Sequence, residues 1–309
     1  MRTIALFGPT GVGKTAVAVA LAERLRETGE NPVAVSADAL QVYEGLETLT
    51  GVALPTERAA LEHRLVSFLP IDATFSAGQY AQLAHAEIDG LLASGRRPIV
   101  VGGTGLYLRA ALTELDLRSP PAEGLRERLT AELERSGAQS LHATLAERAP
   151  WAAAGIDPND RQRIVRALEL LEQGEIPHPK TLGGAPASEP GQRSQLWSEE
   201  LRHPTLLAGL TMERDALYEA IDARVDAMVA AGAAEEVSRA HAAGASATAR
   251  KALGFEELLT GEVELMKQRT RNYAKRQLTW MRKLAGVRTF SLDGGDPGVV
   301  AREILDSAA

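Results

Sequence analysis

No cysteine occurs among the 309 residues, which excludes disulfides, a thiolate nucleophile and cysteine-based zinc sites. No apolar run approaches the ~20 residues that a membrane-spanning helix needs. Thr3–Phe7 run straight into a glycine-rich loop, without the charged region or cleavage site of a secretory leader. These absences predict a cytoplasmic protein with no membrane partner. The six histidines show no ligand spacing. Positive charge is not in excess, because the formal net charge is −7, and such a balance argues against a nucleic-acid partner only if charge is evenly spread. It is not: from Lys267 to Arg288 there are eight basic residues and no acidic one.

The stretch "FGPTGVGKTAVAVALAERL" contains G-x-x-x-x-G-K-T at Gly8–Thr15. It follows a strand-like run, Thr3–Phe7, and opens a helix-like one, the context that confirms a phosphate-binding loop. Backbone amides from Gly8 through Thr10, Gly11, Val12 and Gly13 turn inward on phosphate oxygens, and the helix N-terminus adds favourable dipole charge. Lys14 is placed to reach a bridging or terminal phosphate, and the Thr15 hydroxyl to hold Mg²⁺.

A nucleoside triphosphatase also carries an acid that holds the metal. The strand where it is expected, "PIVVGGTGLY", ends in Gly-Gly-Thr with no carboxylate, and its spacing is not that of a dinucleotide fingerprint. A backbone-rich turn with one hydroxyl, Thr104, suits a polar ligand better than a metal. Asp38 follows another strand, "PVAVS", and so projects from the carboxyl edge of a parallel sheet, where such folds bind ligands. Taken alone it reads as a metal ligand, a helix cap or a base.

Strand runs at Thr3–Phe7, Pro32–Ser36, Arg64–Leu69 and Pro98–Gly103 alternate with helical periodicity, including Ala77–Leu92. That alternation predicts an α/β fold with a P-loop NTPase-like parallel sheet core. Residues 116–200 lack strand signal and read as helices near Gly124–Ser136, Leu141–Glu147 and Asn159–Glu172, then a mobile loop, "GGAPASEPGQRS" at Gly183–Ser194. A strand at Thr205–Thr211, helices through Leu284, a strand at Val287–Leu292 and a last short helix complete the chain. The expected organisation is a catalytic core, residues 1–115 plus 201–309, interrupted by a helical insertion domain, residues 116–200.

Five stretches in order, "GPTGVGKT", "SADALQVYEGL", "VGGTGLYLRAAL", "DPNDRQRIVRALEL" and "TRNYAKRQLTWMR", resemble the tRNA dimethylallyltransferases, also called isopentenyl-tRNA transferases, in their bacterial form. The resemblance covers nearly the whole chain. It implies transfer of a dimethylallyl group from dimethylallyl pyrophosphate to N6 of the adenosine 3′ of the anticodon, so that the P-loop cradles a pyrophosphate leaving group. It implies Asp38 as the base, Thr104 as the group orienting the adenine amine, and Arg224 as a further cation on the leaving group. RNA contacts are implied at Asp38, Ala39, Leu40 and Gln41, at Thr104 and Arg126, at Gln162, Arg163, Ile164, Val165 and Arg166, and at Lys251 in the segment to Glu256. The cations of Lys267–Arg288 are expected on tRNA phosphates, whereas Tyr273 and Trp280 read as core. Nothing indicates more than a monomer.

The chain departs from the family pattern in three places. "TLTGVALP" at Thr48–Pro55 stands where "I-G-T-A-K-P" is usual, Ala39 replaces a serine, and Ala220 an arginine. These changes predict altered affinity or rate with activity retained. Two other readings stay open on the residues alone: a P-loop small-molecule or nucleoside kinase, and a catalytically idle tRNA-binding relative.

Overall fold

The computed structural model describes residues 2–115, 121–176 and 197–307. Strand β1 (Thr3–Phe7) is buried along its whole length, as expected for a strand covered on both faces. Helix α1 (Lys14–Glu27) follows the glycine loop, then β2 (Pro32–Ser36), short helices α2 (Glu47–Thr50) and α3 (Pro55–Ala60), and β3 (His63–Arg64). Next come α4 (Ala77–Ala93), β4 (Arg97–Gly102), α5 (Gly105–Leu112) and β5 (Thr113–Leu115). Helices α6 (Leu125–Ser136), α7 (Ala138–Arg148), α8 (Pro150–Ala153) and α9 (Arg161–Glu172) follow without a strand between them. The chain continues through β6 (Trp197–Leu201), β7 (Thr205–Thr211), α10 (Arg214–Ala230), α11 (Ala233–Ala242), α12 (Phe255–Thr260), α13 (Val263–Met281), β8 (Arg288–Ser291) and α14 (Pro297–Asp306).

Six strands form one parallel sheet in the order β3-β2-β4-β1-β7-β8, with β1 registered between β4 (Ala5 opposite Val100) and β7 (Ala5 opposite Leu207). Side chains of β1 alternate between two cores, as a period of two requires. Ile4 and Leu6 share one with Val17, Leu21 and Leu25 of α1 and with Val300, Ala301 and Ile304 of α14. Ala5 and Phe7 share the other with Tyr80 and Ile88 of α4 and Leu108 of α5. Each buried Val, Leu, Ile or Phe side chain among them contributes about 1.5–3 kcal/mol of transfer free energy. A third cluster packs Val42, Tyr43 and Leu46 against Val225, Val237, Phe255 and Met266, anchoring the segment that follows Asp38.

Two expectations are corrected. The predicted strand Arg64–Leu69 pairs only at His63–Arg64, because Leu65 and Ser67 take positive φ angles of 58° and 44°, outside the extended region. Beyond them the Phe68 amide donates to the Val42 carbonyl at 2.9 Å. Conversely, β6 falls in a region read as strandless and pairs with β5; "WSEEL" carries charges where a strand signal needs apolar residues. The loop expected at Gly183–Ser194 lies outside the described residues.

The chain divides into two compact units, Met1–Leu115 with Glu199–Ala309, and Asp116–Ser198. Within the second, Leu129 and Leu133 of α6, Leu141 and Leu145 of α7, and Ile164 and Leu168 of α9 form a core of its own.

Candidate active site

The loop from Gly8 to Gly13 leaves the carboxyl end of β1 and delivers the chain into α1. Gly11 and Gly13 have φ angles of 85° and 90°, a left-handed conformation that costs other residues about 1–2 kcal/mol. Val12 is fully buried, so it pins the loop to the core and can offer a ligand only its backbone. No side chain caps the N-terminus of α1, where the first amides of any helix lack an internal partner. The Lys14 ammonium donates to the Gly8 and Pro9 carbonyls at 3.0 and 2.9 Å. Burial and the nearby Arg224 guanidinium lower its pKa to about 7, against the opposing pull of Asp38.

A cavity of about 1120 Å³ opens over this loop, large for a small-molecule site, which usually spans about 300–1,000 Å³. Thr10, Lys14, Thr15, Asp38, Thr104 and Arg224 all line it, so the expected catalytic residues and the phosphate loop converge. Asp38 lies just past β2, and its Oδ1 accepts the Leu40 amide at 2.9 Å, a local turn that fixes the carboxylate. Thr104 ends the turn after β4. Its hydroxyl makes a 3.0 Å hydrogen bond with the Tyr273 hydroxyl, whose pKa burial and the Asp38 charge push up to about 12. Tyr273 is therefore a phenol there and lines the cavity, not the core.

Arg224, on α10, lies directly over Gly51: a Cβ there would fall onto the guanidinium. Burial lowers its pKa, opposed by Asp38 and Glu57. The unusual segment Thr48–Pro55 is tied down from two sides. Glu236 of α11 accepts the Thr48 and Leu49 amides at 2.9 and 2.8 Å. Gln41 donates to the Thr50 and Gly51 carbonyls at 3.3 and 3.1 Å and accepts the Ser36 hydroxyl at 2.9 Å. Both ends of the Gln41 amide are thus engaged within the protein, and Gln41 also lines the cavity. Leu54 projects at the cavity rim, 63% exposed. Ala39, Leu40 and Lys251 also line the cavity, Lys251 being exposed.

The remaining expected RNA contacts lie in the helical unit. Gln162 and Arg163 are exposed and Arg166 is half-buried, three residues apart being neighbours on one helix face. Ile164 and Val165 instead point into the core of that unit, so their side chains cannot reach RNA; in an amphipathic helix the residues between Arg163 and Arg166 turn inward. Arg126 and Arg166 share one buried carboxylate, Glu169, at 2.6 to 2.9 Å. Burial alone would raise the Glu169 pKa, and the hydrogen bonds from the two arginines more than offset it.

Sequence reasoning treated the cations of Lys267–Arg288 alike, and the structure separates them. Lys267 pairs with Asp226 at 2.7 Å, Arg271 with Asp222 at 2.6 Å, and Arg269 with Glu257. Among the described residues no ion pair holds Lys275, Arg276, Arg282 or Lys283. Trp280 packs against Phe7, ring centroids 6.3 Å apart, as the core reading required. Tyr273 and Gln277 were missed as site residues. Their signal was a polar pair four apart on a helix, "YAKRQ", which puts both on one face.

No described helix is long and apolar enough to cross a membrane, and no cluster of three metal-ligating side chains occurs among the described residues.

The model of the IPP transferase family matches residues 41–284. The chain is 40% identical to a tRNA dimethylallyltransferase of Symbiobacterium thermophilum over 302 residues, spanning 94% of this chain and 89% of that protein. It is 35% identical to a tRNA dimethylallyltransferase of Bacillus subtilis over 300 residues, 94% and 90% of the two chains. Among solved structures it resembles the tRNA isopentenylpyrophosphate transferase of Bacillus halodurans, with a TM-score of 0.68, 32% identity and coverage of 99% and 95%. It also resembles a eukaryotic dimethylallyltransferase acting on tRNA, with a TM-score of 0.73, 25% identity and coverage of 96% and 74%.

Proposed function

The chain belongs to the IPP transferase family, and on that premise we propose that it is a tRNA dimethylallyltransferase. The reaction moves a dimethylallyl group from dimethylallyl pyrophosphate to N6 of the adenosine 3′ of the anticodon. One observation carries the reading: a single cavity brings together a phosphate loop, the Lys14 and Arg224 cations and the Asp38 carboxylate at a sheet edge.

The division of labour follows from charge. As the bond between the allylic carbon and its oxygen breaks, the electron pair goes to pyrophosphate. The loop amides, the Lys14 ammonium and the Arg224 guanidinium are aimed at that growing charge, which is how preorganised dipoles and cations lower a barrier. The adenine amine attacks the allylic carbon, a C–N bond forms, and Asp38 takes the departing N6 proton. Thr104, held by Tyr273, orients the amine. The base leaves its stack to reach this cavity, as enzymes that modify bases require.

The Thr15 hydroxyl suits Mg²⁺, because that ion binds through one or two protein groups plus substrate phosphates and water and needs no all-protein cage. When bound it supplies further neutralisation of the leaving group. The exposed Gln162 and Arg163, with Arg126 and Arg166, present the helical unit's RNA-facing side, and Lys275, Arg276, Arg282 and Lys283 supply cations for phosphates. The protein acts in this reading as a soluble monomer.

The test is incubation of the purified protein with unmodified tRNA bearing adenosine 3′ of the anticodon and radiolabelled dimethylallyl pyrophosphate. Label recovered as the N6-substituted adenosine after nuclease digestion is the expected result. Transfer of label from γ-labelled ATP to a small acceptor, with none from the allylic donor, would overturn it.

A further inference from the structure

We propose that Gln277 is a positioning residue that locks the pyrophosphate cradle to the turn carrying Thr104, and so sets the distance between the two reacting partners. The chemistry of this inference rests on the transferase reading above. Gln277 is 4% exposed on the inner face of α13. Its Oε1 accepts the Thr10 amide of the phosphate loop at 2.8 Å. Its Nε2 donates to the Gly103 carbonyl at 2.8 Å. A primary amide donates at one end and accepts at the other, so this one side chain spans the two loops that bind donor and acceptor.

The surroundings are built for that span. A Cβ at Gly103 would collide with Gln277 Nε2, and one at Gly105 with the Trp280 ring. Gly103, Thr104 and Gly105 therefore each meet α13, through Gln277, Tyr273 and Trp280 in turn. Sheet pairing already fixes β1 beside β4, but it stops at Phe7 opposite Gly102. Past that point only the Gln277 amide joins Thr10 to Gly103 among the described hydrogen bonds. Transfer requires the amine on one side of the allylic carbon and pyrophosphate on the other, and a misplacement of about 1 Å costs roughly a hundredfold in rate.

Gln277→Met preserves length and apolar volume while removing both hydrogen bonds. The expected result is kcat for transfer lowered by about ten- to a hundredfold, with KM for tRNA within about threefold, because the exposed cations of α13 are untouched. Thr104→Val should cost less in the Gln277→Met background than in the native one, since residues acting as a unit are not additive. Gln277→Glu keeps the acceptor for Thr10 and loses the donor to Gly103, and should fall between the two. A folded Gln277→Met protein with native kcat, or penalties at 277 and 104 that simply multiply, would overturn the proposal. If Gln277→Met does not fold, Gln277→Glu decides: native kcat in that variant overturns it. Pyrophosphate affinity by calorimetry separates this inference from the reading it rests on. If the native protein transfers nothing, the transferase reading fails, and unchanged pyrophosphate affinity in Gln277→Met then overturns the positioning role as well, whereas about tenfold weakening upholds it.

Discussion

The two units treat charge in opposite ways. In the cavity of the α/β unit, Lys14 hydrogen-bonds to carbonyls, Asp38 to an amide, and Arg224 lies against a glycine backbone. No ion pair joins the three among the described residues, although Arg224 and Asp38 both act on the pKa of Lys14 and Asp38 acts on that of Arg224. In the helical unit Arg126 and Arg166 spend their charge on Glu169. Charges held by neutral backbone remain available to a ligand, whereas charges paired within the protein fix the shape of a surface. The first arrangement suits chemistry and the second suits recognition.

That contrast breaks most sharply if rate and binding do not separate. Asp38→Asn removes the proton acceptor and keeps the turn, so kcat should fall by about 10²–10⁴-fold, with tRNA affinity by filter binding within about threefold. An equal loss in both would erase the distinction between the units. A smaller effect follows from Lys14. Its pKa near 7 in the free protein must rise when a polyanion binds, so affinity is full below pH 7 and declines as pH climbs through that value. Pyrophosphate binding by calorimetry should weaken about tenfold or more between pH 7 and pH 9, and Lys14→Met should flatten the trend.

In the helical unit, Glu169→Gln removes a buried anion from between two arginines. It should destabilise that unit by about 1–3 kcal/mol, visible as faster proteolysis, while kcat at saturating tRNA stays native. The smallest effect belongs to Arg163, whose side chain is 71% exposed. Arg163→Ala should raise KM for tRNA a few-fold and reduce the salt dependence of binding by about 0.7 in slope, with no change in melting temperature. A fall in kcat at saturating tRNA in either variant would place catalytic function in the wrong unit.

Much of the α/β core was legible because its signals are local. The phosphate loop is a contiguous octet between a strand and a helix, and buried parallel strands read as unbroken apolar runs. Asp38 and Thr104 were found from their places at strand ends. What escaped depends on distance in the chain. Gln277 meets Thr10 and Gly103 across more than 170 residues, and nothing near it in sequence announces those partners. Tyr273 was read as core for a sound reason, since a lone aromatic at helical spacing usually packs. Only the hydroxyl of Thr104 beside it makes it a site residue. The ends of the strand at His63 were missed because positive φ angles at Leu65 and Ser67 are not encoded by glycine there. Ile164 and Val165 were assigned as a block with their neighbours, and the helical period divides that block between core and solvent.

Helix α14 has a bearing on how the protein comes to be made. It supplies Val300, Ala301 and Ile304 to the apolar back of α1, the helix whose front end carries Lys14. In synthesis the octet precedes the hydrophobic wall behind it, because α14 follows every other element of the unit. Until then Leu21 and Leu25 lack part of their cover, and β1 waits for β7 on one flank. The phosphate loop consequently gains its full backing only after α14 has been made, and a protein cut short before α14 would carry the motif without part of the apolar support behind it.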